Sequence, residues 1–165
     1  MTVAVVMGSA SDLELMRPAV EALTELGIPS EVRILSAHRT PDEALAFARD
    51  AASRGITTII AGAGGAAHLA GVLAAVTPLP VIAVPIAVGS LGGLDALLAM
   101  VQMPAGVPVA TVAVNGARNA GLLAARILGL SDPEVSDRLQ ALRTAMATKV
   151  RDADAKVRAE LGTGG

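Results

Sequence analysis

The 165-residue chain contains no cysteine, no tryptophan and no tyrosine, and Phe47 is its single phenylalanine. Without thiols it can form no disulfide, iron–sulfur cluster or thiolate zinc site, and it has no cysteine nucleophile. So few aromatic rings also leave no platform on which nucleobases or a flavin could stack. Charge is scarce and unevenly placed. Of the 28 charged residues, 13 basic and 15 acidic, twelve follow Leu130, and Asp95 is the only one between Arg54 and Arg118. A net charge of −2 without a basic cluster argues against a grip on nucleic acid, which relies on Lys and Arg at phosphates. Long apolar runs are missing too, because Gly or Pro breaks the uncharged middle well short of the ~20 residues that span a bilayer. The start, MTVAVVMGSASD, has no basic region ahead of its apolar run, so no secretory signal is expected and the protein is expected to be soluble and cytoplasmic. The length suits one domain, residues 1–165.

What is present is a repeating order of short and long apolar segments. Val3–Met7, Val32–Leu35, Thr57–Ala61, Pro80–Val84 and Val107–Val112 are short and β-branched, and their continuous apolarity predicts strands covered on both faces. Helices are expected at Asp12–Leu26, Pro41–Ser53, Ala66–Val76, Leu94–Gln102 and Ala117–Leu128. Thr40-Pro41-Asp42-Glu43 offers an N-cap, a proline at the first helical position and acids in the first turn, while Gly27 and Gly55 sit where helices end. Strand-then-helix repetition predicts an α/β fold, a three-layer doubly wound parallel sheet. Flavodoxin-like order is the better guess, since pattern alone leaves strand order open.

The tail differs. Ser131-Asp132-Pro133-Glu134 opens a long C-terminal helix, residues 131–161, whose apolar positions Val135, Leu139, Leu142, Met146, Val150, Ala153, Val157 and Leu161 form one stripe. It either caps its own domain or clasps a neighbouring subunit, and a span of ~40 Å favours the second. Gly162–Gly165 is expected to fray.

Ligands of open α/β sheets bind beyond the carboxyl ends of the strands, so the polar residues there carry the chemistry. After the first strand comes Gly8-Ser9-Ala10-Ser11-Asp12: hydroxyls and helix-start N–H groups suit a phosphate and Asp12 suits sugar hydroxyls, although Ser11 or Asp12 could be only an N-cap. After the second comes Ser36-Ala37-His38-Arg39-Thr40. Imidazole suits proton transfer near neutral pH and guanidinium can hold a phosphate bidentately. After the third comes Ala61-Gly62-Ala63-Gly64-Gly65-Ala66-Ala67-His68, where bare backbone permits either a ligand's close approach or tight packing. His68 could be a hydrogen-bonded helix residue, and a direct catalytic role suits it less than His38. Two histidines without cysteine disfavour a transition-metal site, though a carboxylate-containing one stays open. The residues alone lead to a small phosphorylated ligand and acid/base chemistry at His38.

The segments VMGSASD, SAHRTPDEA, IIAGAGGAAHLAG, LPVIAVP, LDALLAMVQMPAGVPVATVAV and NAGLLAARIL together extend from Val6 to Leu128. In them the chain resembles the PurE family of purine biosynthesis, specifically its class I N5-carboxyaminoimidazole ribonucleotide mutases. The resemblance implies a flavodoxin-type homo-octamer with active sites at subunit contacts. It also implies a cofactor-free, metal-free isomerisation of N5-carboxyaminoimidazole ribonucleotide to 4-carboxy-5-aminoimidazole ribonucleotide. By position, Ser9 and Arg39 would bind the phosphate region, Asp12 the ribose hydroxyls, and Ser36 would support the loop. His38 would be the general acid/base, and Ala63, Gly64 and Ala66 would line the imidazole and carboxyl pocket near His68. The chain departs from the family at Ala70, where proline is usual, at Ala96, where serine is usual, and in Ala87–Gly92, which lacks the usual polar residues.

Overall fold

The structure, a computed structural model, describes residues 1–162. Of the frayed end expected at Gly162–Gly165, residues 163–165 lie outside the described residues. The elements alternate as expected: β1 (Thr2–Met7), α1 (Leu13–Glu25), β2 (Ser30–Ile34), α2 (Pro41–Asp50), β3 (Ile56–Gly64), α3 (Leu69–Ala74), β4 (Val81–Ile86), α4 (Leu94–Val101), β5 (Ala110–Thr111), α5 (Ala117–Leu128) and α6 (Pro133–Glu160). The sheet has the order β2-β1-β3-β4-β5 with every pair parallel, which is the flavodoxin-like order.

Two apolar layers explain why the central strands carry no alternation. Along β1, Ala4 and Val6 join one core with Ile59, Ala61 and Ala83, covered by Ala44, Phe47 and Ala48 of α2, Leu69 and Leu73 of α3 and Met100 of α4. Val3, Val5 and Met7 point the other way, into a core with Ile60, Ile82 and Val84 under Met16 and Leu23 of α1 and Ala120 and Ala124 of α5. The departures at Ala70 and Ala96 are both fully buried, so they are core substitutions away from solvent. Small residues bring α1 and α5 together: a Cβ at Gly121 would lie 2.7 Å from the Ala19 carbonyl oxygen.

Several expectations need correction. β2 is an edge strand running Ser30–Ile34 and is not covered on both faces: Val32 and Ile34 are exposed. β5 keeps two residues of the expected Val107–Val112, because the turn Pro104–Val107 and the prolines around it withhold ladder donors. β3 runs on to Gly64, through residues expected as a loop, and α3 starts at Leu69 where Ala66 was expected. α2 ends at Asp50, followed by a 3-10 turn at Ala52–Arg54 that Gly55 closes at φ 80°. Thr40 occupies the N-cap position of α2 but makes no side-chain cap; its hydroxyl accepts from the Ser36 N–H and so braces the preceding loop.

The C-terminal helix α6 starts on a true cap, with Asp132 Oδ1 accepting from Glu134 and Val135 N–H. Val135 is buried and Leu139 and Leu142 pack against the core, whereas Met146, Val150, Val157 and Leu161 are exposed. Among the described residues, therefore, only the first turns of the stripe find a partner. A second apolar face is open on α4, at Leu94, Leu98 and Val101, and Asp95 opens that helix with one carboxylate oxygen buried and unpartnered among the described residues. No helix among the described residues is long and apolar enough to cross a membrane.

Candidate active site

β1, β2 and β3 are adjacent in the sheet, so their carboxyl ends deliver three polar segments to one place. There they line an open cleft of about 240 Å³ with Gly8, Ser9, Ser11, Asp12, Ser36, Ala37, His38, Arg39, Ala63, Gly64, Ala66, Leu69 and Val88. Of the site residues to which the resemblance gives roles, all but His68 line the cleft, and His68 meets it through His38.

The β1 segment turns at Gly8 into a short 3-10 turn, Ala10–Asp12, that leads into α1. Ser9 caps this turn by accepting from the Ser11 N–H, while Asp12 stands at the N-cap position of α1 but makes no side-chain cap. The Ser11 hydroxyl stands 2.9 Å from Ser9 Oγ and 3.3 Å from Asp12 Oδ1, and has one proton to give. The Asp12 side chain is buried, with 6% of the residue exposed. A Cβ at Gly8 would meet nothing closer than 4.0 Å, so glycine there leaves room on the cleft side.

The β2 segment is braced from within. Ser36 Oγ accepts from the Arg39 N–H at 3.1 Å, and Thr40 N–H donates to the Ser36 carbonyl at 3.0 Å. These bonds fix the loop that carries His38 and Arg39, both exposed to the cleft. Arg39 Nη2 reaches the Gly8 carbonyl at 3.4 Å, which draws the cation to the serine turn; among the described residues it is in no ion pair. Its remaining donors are available to an anion.

From the β3 side comes His68, just ahead of α3. Its Nδ1 lies 2.8 Å from His38 Nε2, with the rings edge to face and their centroids 4.9 Å apart. One proton occupies that gap. If it sits on His38 Nε2, a neutral His38 presents Nδ1 as an acceptor; if it sits on His68 Nδ1, His38 presents an Nδ1–H donor. His38 can thus gain a proton at Nδ1 while passing its Nε2 proton to His68 Nδ1, which leaves His38 neutral and places the charge on His68. Among the described residues no three His, Asp or Glu side chains stand close enough to hold a metal ion.

The glycine-rich end of β3 serves packing as well as access. A Cβ at Gly62 would fall 2.3 Å from Met16 Sδ, and one at Gly64 would fall 2.5 Å from Val88 Cγ2 and 2.9 Å from the Ile86 carbonyl oxygen. Val88 is the lining residue with no signal in the sequence. It follows β4 in a segment, Ala87–Gly92, whose one polar side chain is Ser90, and the β3–β4 pairing brings it over Gly64.

A family model described as AIR carboxylase matches residues 2–149. The chain is 57% identical over 155 residues to the N5-carboxyaminoimidazole ribonucleotide mutase of Mycobacterium tuberculosis (strain ATCC 25618 / H37Rv), covering 94% of this chain and 89% of that protein. It is 59% identical over 153 residues to the mutase of the same name from Mycobacterium leprae (93% and 90% covered) and 54% identical over 150 residues to that from Pyrococcus horikoshii (91% and 85%). Among solved structures, Treponema denticola PurE is similar with a TM-score of 0.88 at 30% identity, covering 95% of this chain and 98% of that one.

Proposed function

The chain belongs to the AIR carboxylase family, and from that membership and the cleft we propose that it is an isomerase of purine biosynthesis, converting N5-carboxyaminoimidazole ribonucleotide to 4-carboxy-5-aminoimidazole ribonucleotide. The observation that carries the proposal is the convergence, in one cleft, of a serine turn and a free arginine with a hydrogen-bonded histidine pair. Ser9 and Arg39 hold the phosphate end, Asp12 accepts from the ribose hydroxyls, and Ser36 keeps the His38 loop in shape. Ala63, Gly64 and Ala66 then surround the ring and the migrating carboxyl.

In this mechanism the bond between N5 and the carboxyl carbon breaks, and N5 takes a proton from His38 as CO2 separates. Ring carbon C4 then bonds to the CO2 carbon, and His38 recovers a proton from C4. Atoms and charge balance within substrate and imidazole, so the sequence of steps is written without a cofactor or metal. His68 supports both roles of His38 through the shared proton. Alanine and glycine walls suit a small, uncharged intermediate, and keeping water out limits its loss.

The same proposal takes the protein to be a cytoplasmic homo-octamer with sites at subunit contacts. The open apolar faces of α4 and of the outer half of α6 support assembly, since a chain of this size leaves few such faces uncovered. The family name itself favours a second reading, a carboxylase that takes the uncarboxylated ribonucleotide and free CO2, while the 54–59% identical mutases favour the first. One assay separates them: turnover of the N5-carboxy substrate in bicarbonate-free buffer is expected, and strict dependence on added CO2 with the uncarboxylated ribonucleotide reverses the assignment.

A further inference from the structure

We infer that Asn115 is a positioning residue that holds Val88 in place as the wall of the cleft above Gly64, and so governs whether the detached carboxyl stays in the site. The inference rests on the proposed reaction for its chemical consequence and on the structure for its geometry.

Among the described residues Asn115 is the only non-glycine with positive φ, at 56°. Asparagine tolerates that region better than most residues. The two polar groups that Asn115 uses both meet the chain leaving β4: its N–H donates to the Pro85 carbonyl at 2.8 Å, and its Oδ1 accepts from the Ala87 N–H at 3.0 Å. The sheet explains the need for them. β5 pairs with β4 only at Ile82↔Ala110 and Ala83↔Thr111, and Val112 N–H adds one bond to the Ala83 carbonyl. Past that point β4 has no strand on this side, and Asn115 supplies the acceptor and donor that a longer β5 would have offered.

The next residue along, Val88, is the one that lines the cleft and sits on Gly64. The far end of its segment rests on the same turn. Gly93 has φ 89°, and a Cβ there would lie 2.7 Å from Val114 Cγ1 and 3.1 Å from Ala87 Cα. The turn Ala113–Gly116, closed by Gly116 N–H on the Ala113 carbonyl, is therefore a peg between the two ends of the 87–93 segment. Val88 itself is 42% exposed and, packing on Gly64 aside, depends on how its segment is held.

Escape of the carboxyl is a balanced alternative to its transfer: the nitrogen–carbon bond breaks, the nitrogen takes a proton, and CO2 leaves with the uncarboxylated ribonucleotide as the other product. A displaced Val88 opens the route for it. The test follows substrate carrying a 13C carboxyl in buffer with unlabelled bicarbonate, with the product read by mass spectrometry, alongside hydrogen exchange of the 87–93 segment without substrate. Asn115→Gly keeps the backbone conformation and removes the acceptor. It is expected to speed exchange at Ala87 and to raise the share of product without label about two- to tenfold, the fold-change of one ordinary hydrogen bond. Asn115→Asp keeps an acceptor and is expected to restore both readouts. Val88→Ala, which needs no change at the turn, is expected to lose label as Asn115→Gly does.

Full retention of label in Asn115→Gly despite faster exchange would overturn the inference, as would full retention in Val88→Ala. Unchanged exchange in Asn115→Gly overturns its geometric half. If the wild type fails to convert the N5-carboxy substrate, the proposed reaction has failed, and the exchange measurement still decides whether Asn115 holds the segment.

Discussion

Adding one methyl group at Gly64 tests how tightly the β3 end is built into the cleft. The backbone there is ordinary extended strand, so alanine can adopt it, and stiffening the unfolded chain would by itself favour the variant by ~0.4–1 kcal/mol. Against this, the new Cβ would stand 2.5 Å from Val88 Cγ2 and 2.9 Å from the Ile86 carbonyl oxygen. Val88 is exposed enough to turn away. The Ile86 carbonyl is not free to do so, because Ile86 is paired with Gly64 in the β3–β4 ladder. Overpacking against a fixed partner costs ~1–3 kcal/mol, so the net expectation for Gly64→Ala is a loss of about 1–2 kcal/mol. Urea unfolding at fixed protein concentration measures it, the fixed concentration keeping any contribution from the proposed assembly constant. The double variant Gly64→Ala/Val88→Ala is expected to recover the side-chain share and leave the part due to Ile86. In the assay of the N5-carboxy substrate, Gly64→Ala is also expected to raise KM, since Val88 is pushed from its place in the wall. Stability within ~0.5 kcal/mol of wild type together with an unchanged KM would refute the packing argument.

Three further outcomes follow from the same geometry. His38→Asn is expected to lower turnover by about 10²–10⁴, the usual worth of a general acid/base, while ribonucleotide binding by calorimetry stays near wild type; normal turnover removes His38 from the mechanism. Arg39→Lys keeps the charge and loses the planar fork, so KM for the ribonucleotide should rise about tenfold with kcat little changed, and an unaltered KM would mean that Arg39 does not hold the phosphate. Leu98→Glu, on the half-exposed face of α4, is expected to shift size-exclusion elution toward smaller species; an unshifted profile means that this face is not part of an interface.

Much of this protein was legible as a one-dimensional pattern. Runs such as Val3–Met7 and Thr57–Ala61 are apolar without alternation because both their faces are covered, and Pro41, Gly27 and Gly55 mark helix boundaries through backbone restrictions that act locally. The site segments were visible for a related reason: polar residues following an apolar strand in an α/β chain can only lie at one edge of the sheet. What a local pattern carries no information about is which strands are neighbours. Strand order put β1, β2 and β3 side by side, exposed Val32 and Ile34 on an edge, and brought His68 to within 2.8 Å of a histidine thirty residues earlier. It also placed Val88 over Gly64 and gave Asn115 the unfinished end of β4 to hold, neither of which leaves a mark in composition or spacing. Residue types and their local order therefore determined the elements and the kind of chemistry on offer. Contacts between residues far apart in sequence exist only once the sheet has assembled, and those contacts decided the shape of the cleft and the pairing of its two histidines.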